Sequence, residues 1–101
     1  MTKVGEHITL DIIGTTKEYD PSIFEKVIHD IAKAAKVTIL NISKYKFEPQ
    51  GFTILALLAE SHISFHTFPE KGIISFDFFT CGKVNPKVAL KILRKEIDHQ
   101  R

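Results

Sequence analysis

The 101-residue chain carries 14 Lys and Arg against 12 Asp and Glu, and 44% of its residues are hydrophobic, which suffices for one domain with its own core. A dispersed net charge of +2 excludes a strong nucleic-acid or membrane footprint, and a single Cys excludes an internal disulfide framework. No apolar run approaches the ~20 residues of a membrane helix, and the amino terminus lacks a signal-peptide pattern, so we expect a cytoplasmic protein.

The first half of the chain predicts a strand, a helix and a second strand. His7 to Ile13 is rich in β-branched and apolar residues and stops at Gly14, which is typical of a strand. Asp20-Pro21 supplies an N-cap followed by a proline at the first helical position. Apolar residues then recur at helical spacing, at Ile23, Phe24, Val27, Ile28, Ile31, Ala34 and Ala35. Val37 to Ile42 predicts the second strand, which can run on to Phe47.

The run from Phe52 to Ala59 predicts a third strand that is apolar at nearly every position. Such a run favours a strand covered on both faces over a strand with one face in water. Two helices of one short chain can cover only one side of its sheet. We therefore expect the other side to be covered by a second subunit.

The remaining segments predict a hairpin and a last helix. His62 to Phe68 and Ile73 to Cys81 are two further strands, joined by the loop from Pro69 to Gly72. Asn85-Pro86 caps the last helix. The apolar contacts of that helix are Val88, Ile92 and Ile97. This order of elements predicts an α+β fold, a two-layer sandwich whose mainly antiparallel sheet carries both helices on one face, in a single domain over residues 1–101.

The predicted hairpin gathers chemically active side chains on one face. If Phe68 pairs with Ile73, the ladder sets His66 opposite Ser75, Ser64 opposite Asp77, His62 opposite Phe79 and Glu60 opposite Cys81. One face is then apolar, and the other collects His62, Ser64, His66, Ser75, Asp77 and Cys81. This polar face is either a functional site or the solvated side of an amphipathic hairpin.

Two hypotheses for this polar face, a metal site and a hydrolytic triad, have little support. The Cα atoms of His62 and His66 are four strand residues apart, roughly 13 Å, which is too far for a shared metal ion, so we expect no metal site. Ser64, His66 and Asp77 offer the residue types of a hydrolytic triad without a local signature such as a nucleophile elbow. The residue pattern alone leaves the reaction open.

Two motifs between Gly51 and Gly82 carry a resemblance to a known protein family. The first consists of Ala59-Glu60-Ser61-His62, Ser64, His66-Thr67, Phe68 and Pro69-Glu70. The second consists of Asp77, Phe79 and Thr80-Cys81-Gly82, and weaker echoes stand at Gly5-x-His7 with Asp11 and Gly14 and at Phe47-Glu48-Pro49-Gln50-Gly51. In these motifs the chain resembles the short prokaryotic S-adenosylmethionine decarboxylases, which use a pyruvoyl group.

The resemblance implies that the chain cleaves itself between Glu60 and Ser61, into residues 1–60 and 61–101. In that family the serine hydroxyl adds to the preceding carbonyl, and an N-to-O acyl shift, β-elimination and hydrolysis convert the serine into the pyruvoyl cofactor. His66 is implied to remove the Cα proton of residue 61. Thr53 is implied to assist the acyl shift, and it stands where the family usually has Ser.

The resemblance also implies the groups that act in turnover. The pyruvoyl group serves as the electron sink while carbon dioxide leaves, and Cys81 is the implied proton donor to the substrate carbon. Phe47 and Phe68 are implied to stack on the adenine, with Phe47 coming from the partner subunit of a homodimer. Glu70 is implied to bind the ribose hydroxyls. Phe68 stands where Trp or Tyr is common and keeps a stacking face.

We therefore expect an S-adenosylmethionine decarboxylase that supplies aminopropyl groups for spermidine synthesis. One alternative is the same pyruvoyl chemistry on arginine or ornithine, because the self-processing residues do not specify the substrate. The other alternative is a non-enzymatic dimeric relative. Ser61, His66 and Cys81 together argue against the second alternative, and Phe47 with Glu70 favours S-adenosylmethionine over the other amines.

Overall fold

In the part of the chain that the computed structural model describes, residues 4–15, 20–81 and 84–97, the predicted elements follow one another in the predicted order. They are β1 (Gly5–Ile13), α1 (Pro21–Ala35), β2 (Ile39–Lys46), β3 (Phe52–Leu58), β4 (Ser61–Phe68), β5 (Ile73–Cys81) and α2 (Val88–Glu96). A short 3-10 turn over Pro69–Lys71 joins β4 to β5. The boundaries differ from expectation by up to two residues: β1 begins at Gly5 rather than His7, and β2 begins at Ile39 rather than Val37.

The strands form one antiparallel sheet in the order β1-β5-β4-β3-β2. β2 to β5 form a meander, because each short connection returns the chain beside the strand that it has just left. α1 carries the chain from β1 at one edge to β2 at the other edge. The α+β prediction is confirmed, and each described strand pairing is antiparallel.

Helix α1 begins and ends where its sequence provides caps. Asp20 Oδ1 accepts a hydrogen bond from the Ser22 backbone N at 2.9 Å, and Pro21 occupies the first position. At the other end Lys36 adopts a left-handed conformation with φ of 60°, and its N–H donates to the Lys33 carbonyl. The buried face between the caps includes Phe24, Val27, Ile28 and Ile31. Burying each such side chain contributes about 1.5–3 kcal/mol, which holds α1 on the sheet.

Helix α2 begins two residues after the proline that precedes it. Asn85 Oδ1 accepts a hydrogen bond from the Lys87 backbone N at 3.0 Å, and the helix proper starts at Val88. Its buried positions are Ala89 and Leu93, with Ile97 just beyond its end, whereas the expected contacts Val88 and Ile92 are partly buried. Both helices join the same core as the inner face of the sheet. Within the described ranges, neither helix is long and apolar enough to cross a membrane.

The register of the β4–β5 hairpin follows the prediction along most of its length. The ladder runs from His62 opposite Phe79 to Phe68 opposite Ile73. The predicted pairing of Glu60 with Cys81 is wrong, because Glu60 lies in the β3–β4 turn and the ladder ends before it. Cys81 pairs with Gly5 of β1 instead. A Cβ at Gly5 would overlap the carbonyl oxygen of Thr80, so glycine permits this close approach.

The face of the sheet opposite the helices is here called the open face. It carries the outward residues of four strands: His7, Thr9 and Asp11; Thr53, Leu55 and Leu57; His62, Ser64 and His66; Ser75, Asp77, Phe79 and Cys81. Leu55 and Leu57 are 47% and 53% exposed, whereas Ile54 and Ala56 on the inner face are fully buried. The described chain therefore covers β3 on one face, and a second subunit over the other face stays a prediction.

Candidate active site

The polar face predicted for the hairpin is present on the open face. β4 and β5 contribute the expected side chains in register, and the neighbouring edge strand β1 adds His7 and Asp11. Ser75 Oγ donates to Asp11 Oδ1 at 2.8 Å, which ties β5 to β1. The side chains on this face are thus held by paired strands and by one another, which gives the site a rigid base.

Asp77 gathers three side chains around its carboxylate. Its Oδ1 lies 2.8 Å from both His7 Nε2 and His62 Nε2, and Ser64 Oγ donates to Oδ2. Burial acts to raise the pKa of Asp77, but the hydrogen bonds from Ser64, His7 and His62 outweigh it and hold the pKa below its ordinary value. An ionised carboxylate therefore lies between the two imidazoles at neutral pH.

A second cluster lies at the opposite end of the β4–β5 hairpin, around a pocket of about 270 Å³. The lining residues come from the β2–β3 loop, β3, β4 and the turn after β4: Phe47, Gln50, Gly51, Thr53, His66, Thr67, Phe68 and Glu70. Gln50 Nε2 donates to Glu70 Oε1 at 3.4 Å across the pocket. The structure thus brings five predicted site residues together: Phe47, Thr53, His66, Phe68 and Glu70.

Within this pocket His66 is bonded to Thr53. The two residues are directly opposed in the β3–β4 ladder, and Thr53 Oγ1 lies 2.9 Å from His66 Nδ1. A bond at Nδ1 leaves Nε2 as the ring nitrogen that can exchange a proton with another group. The pair therefore has the form of an oriented general base.

The predicted cleavage position lies in a tight turn between β3 and β4. Leu58 pairs with Ser61, and the two residues between them make the turn. Glu60 has a φ of 61°, a left-handed conformation that raises the backbone energy of a residue with a Cβ by about 1–2 kcal/mol. Ser61 is 5% exposed, and among the described residues no group is hydrogen-bonded to its buried Oγ. A strained residue thus precedes an unsatisfied hydroxyl.

The structure does not bring all the predicted site residues into one place within one chain. Ser61 and His66 are five residues apart along β4, which separates their Cα atoms by roughly 16 Å. Ser61 also points to the inner side and His66 to the open face, because alternate strand residues point to opposite faces. Cys81 lies on the open face at the Ser61 end. The predicted residues therefore form two groups. Ser61 and Cys81 lie at one end of the hairpin, here called the cleavage end, and the five residues around the pocket lie at the other end, here called the pocket end.

Sequence reasoning missed the contacts of His7 and Gln50. In the sequence His7 stands out only as part of a weak motif. Its partner Asp77 lies 70 residues away, and no pattern near either residue predicts that β1 pairs with β5. Gln50 sits in a loop motif, and its approach to Glu70 depends on how that loop folds back. Gly82, the last residue of the second motif, lies outside the described residues.

The motifs and this geometry lead to a known family. A family model described as S-adenosylmethionine decarboxylase matches residues 6–101. The chain belongs to this family. A relative named S-adenosylmethionine decarboxylase proenzyme, from Prochlorococcus marinus (strain MIT 9313), is 44% identical over 93% of this chain and 78% of its own length. One of the same name from the archaeon Methanococcus vannielii is also 44% identical, over 82% and 70%.

The family assignment extends to a solved structure. The crystal structure of the adenosylmethionine decarboxylase from Aquifex aeolicus matches with a TM-score of 0.84 at 30% identity, and the match covers 100% of this chain and 86% of that chain. The α+β fold and the resemblance found in the motifs are therefore both confirmed.

Proposed function

We propose that the protein is an S-adenosylmethionine decarboxylase that cleaves itself between Glu60 and Ser61 and converts Ser61 into its pyruvoyl cofactor. The observation that carries this proposal is the buried Ser61 Oγ directly after the left-handed Glu60. An unsatisfied buried hydroxyl destabilises a fold by about 1–3 kcal/mol, so its retention favours a chemical role. Ser61 thus fits the requirement for a side chain from which the cofactor is made.

The proposed cleavage uses groups of the chain itself. Ser61 Oγ adds to the carbonyl carbon of Glu60, the peptide C–N bond breaks, and an ester with a free amine at residue 61 results. Loss of the Cα proton of residue 61 then breaks the bond between its Cβ and Oγ, which leaves both oxygens on the Glu60 carboxylate and residue 61 as dehydroalanine with a Cα=Cβ double bond. Hydrolysis releases ammonia and yields the pyruvoyl group. Strain at Glu60 favours the first step, because cleavage of the turn relieves it.

The base for this elimination is His66, oriented by Thr53, and it comes from a second copy of the chain. Within one chain the Cα atoms of Ser61 and His66 are roughly 16 Å apart along β4, which is too far for the imidazole to reach the Cα proton of residue 61. A two-fold dimer that stacks open face on open face lays the cleavage end of one chain over the pocket end of its partner. The exposed Leu55 and Leu57 support such a contact.

The same arrangement assembles the site for turnover. Once formed, the pyruvoyl group supplies a carbonyl that takes the substrate amine and accepts the electrons released with carbon dioxide. Cys81, at the cleavage end, gives a proton to the substrate carbon from which the carboxylate has left. Phe47 and Phe68 of the partner subunit stack on the adenine, and the Glu70 carboxylate of that subunit accepts hydrogen bonds from the ribose hydroxyls.

The lining of the pocket suits an adenosyl substrate. Its volume of about 270 Å³ is close to the lower end of the ~300–1,000 Å³ range of typical small-molecule pockets, and the cleavage end of the second chain would add further walls to it. The two aromatic rings and the acid are the groups that favour an adenosyl substrate over arginine or ornithine, which have neither a purine ring nor a ribose.

Side-by-side assays test this proposal. Purified protein is incubated with carboxyl-labelled S-adenosylmethionine, arginine or ornithine, and released labelled carbon dioxide is counted. We expect release from S-adenosylmethionine alone, and none from Ser61→Ala protein. Release from arginine or ornithine instead would overturn the substrate assignment, and no release from any of them by cleaved, folded protein would overturn the enzymatic function.

A further inference from the structure

We propose that His7, His62 and Asp77 form a binding site for a divalent transition-metal ion of the zinc or cobalt type. One ligand atom from each residue, an imidazole nitrogen or a carboxylate oxygen, lies within 4.8 Å of the other two. The residues belong to β1, β4 and β5, and the proposed reaction uses none of them. The pair considered in the sequence, His62 with His66, stays too far apart, whereas His62 has two nearer partners.

The sheet register explains why the two imidazoles converge. His7 and His62 both pair with Phe79, from opposite sides. Strands spaced by 4.7–4.9 Å separate the Cα atoms of these two residues by roughly 9–10 Å. Their ring centroids are only 5.8 Å apart, so both rings lean inward over β5, where Asp77 follows on the same face two residues along. The Phe79 ring lies 6.0 Å from each imidazole and limits where they can turn.

The spacing of the ligand atoms suits a metal ion. Neighbouring ligands at about 2.1 Å from an ion lie roughly 3.0 Å apart in octahedral and roughly 3.4 Å apart in tetrahedral geometry. The Asp77 Oδ1 to His7 Nε2 and His62 Nε2 distances of 2.8 Å therefore need small adjustments. Ser64 Oγ, bonded to Oδ2, orients the carboxylate as an outer partner of the kind that metal sites use.

The site also has room and the right donor chemistry. In one chain the side chains of His7 and His62 are 47% and 42% exposed and that of Asp77 is 23% exposed, so a water molecule held between the two stacked open faces of the proposed dimer can complete the coordination. Imidazole nitrogen favours zinc, cobalt and nickel, whereas magnesium and calcium prefer sites made of oxygen ligands. Two imidazoles and one carboxylate therefore select the first group.

Metal titration of the purified protein tests the site without measuring activity. The protein is treated with a chelator, dialysed and titrated with zinc chloride by calorimetry, and the histidine ring protons are followed by NMR. We expect one Zn²⁺ per protomer, shifts of the His7 and His62 ring signals, and no displacement by excess Mg²⁺. His62→Gln and Asp77→Asn should each weaken binding at least tenfold, while the matched control His29→Gln, on the exposed surface of α1, should bind as the wild type does.

The same measurements can overturn the proposal. Absence of stoichiometric binding, unchanged affinity in both variants, or zinc-induced shifts at His29 or His66 in place of His7 and His62 would each do so. Cobalt supplies a second readout, since a thiolate charge-transfer band would reveal Cys81 as a ligand and contradict the assignment. Circular dichroism checks that each variant is folded, and the half-exposed His62 provides an answer even if Asp77→Asn does not fold.

Discussion

Thr53 Oγ1 and His66 Nδ1 lie 2.9 Å apart on directly opposed residues of β3 and β4. Because both strands belong to the interior of the sheet, this contact sets the direction of the imidazole more firmly than a loop could. We therefore propose that the Thr53 hydroxyl positions the imidazole of His66.

Thr53→Val keeps the shape of the side chain and removes the hydroxyl. We expect self-cleavage to slow on the order of 10²-fold, because a misdirected base loses its alignment with the proton that it removes. The fraction of uncleaved chain on a denaturing gel, followed over time, measures this. Thr53→Ser is the control and should cleave like the wild type. Equal rates for Thr53→Val and the wild type would contradict the positioning role.

The hairpin was predictable because its signals are local. The alternation of apolar and polar residues from His62 to Cys81, together with a four-residue connection, sets the register from Phe68 and Ile73 outward. The turn before it was not predictable in detail, because Glu60 takes a left-handed conformation without glycine. The contact between His7 and Asp77 depends on two strands that are distant in sequence, and no pattern in either strand specifies that pairing.

The motif assigned residues to one site, but strand geometry divides them between two ends. The rise per residue that separates His62 from His66 also separates Ser61 from His66, by roughly 16 Å. The resemblance implies that Phe47 comes from the partner subunit, but it does not state which copy of the chain supplies Thr53, His66 or Glu70. The proposal that His66 also comes from the partner subunit therefore rests on the fold, in addition to the motif.

Self-cleavage between Glu60 and Ser61 is the most direct consequence of the proposed function. Denatured protein should contain fragments of 60 and 41 residues, the larger with a free carboxylate at Glu60 and the smaller without an amino terminus open to sequencing. Mass spectrometry measures both. Ser61→Ala should remain one chain, since the attacking hydroxyl is absent. Folded wild-type protein that stays intact after long incubation would refute the cleavage.

Cys81→Ala should separate processing from turnover. The variant should still cleave, because the elimination uses His66, and it should lose about 10²–10⁴-fold in decarboxylation, because no placed acid protonates the substrate carbon. Labelled carbon dioxide and gel analysis of the same sample measure the two steps. His66→Ala is the complementary variant and should accumulate the ester, which hydroxylamine cleaves. Equal loss of processing in both variants would show that the division of roles is wrong.

The N-cap of α1 makes a small, defined part of the stability dependent on pH. Hydrogen bonds from the backbone N–H and hydroxyl of Ser22 hold the pKa of Asp20 below its ordinary value of 3.8. A group with a lower pKa in the folded state stabilises the fold above its unfolded pKa, and this contribution is lost as the pH falls through the folded pKa.

Asp20→Asn supplies the matched comparison, because asparagine caps a helix about as well and does not titrate. The unfolding midpoint of the wild type should therefore fall relative to that of Asp20→Asn as the pH is lowered below about 4. Thermal unfolding followed by circular dichroism at several pH values measures the difference between the two midpoints. The contributions of the other carboxylates are the same in both proteins and cancel in this difference. A difference that stays constant with pH would mean that the pKa of Asp20 is the same in the folded and unfolded states.

Sharing of the active site between two chains can be tested by complementation. Phe47→Ala removes a ring at the pocket end and Cys81→Ala removes the acid at the cleavage end, so each homodimer should be nearly inactive. In a mixed dimer, one site receives the intact Cys81 of the first chain and the intact Phe47 of the second. If chains pair at random, half of the dimers are mixed and half of their sites are complete, so co-expression should recover about one quarter of the wild-type activity. If each site were built from a single chain, every site in the mixed dimer would lack one of the two residues and no activity would return.

Sedimentation provides a second test of the shared site and should find a dimer. A fully active monomer would contradict the shared site and would leave the exposed Leu55 and Leu57 without the cover proposed for them.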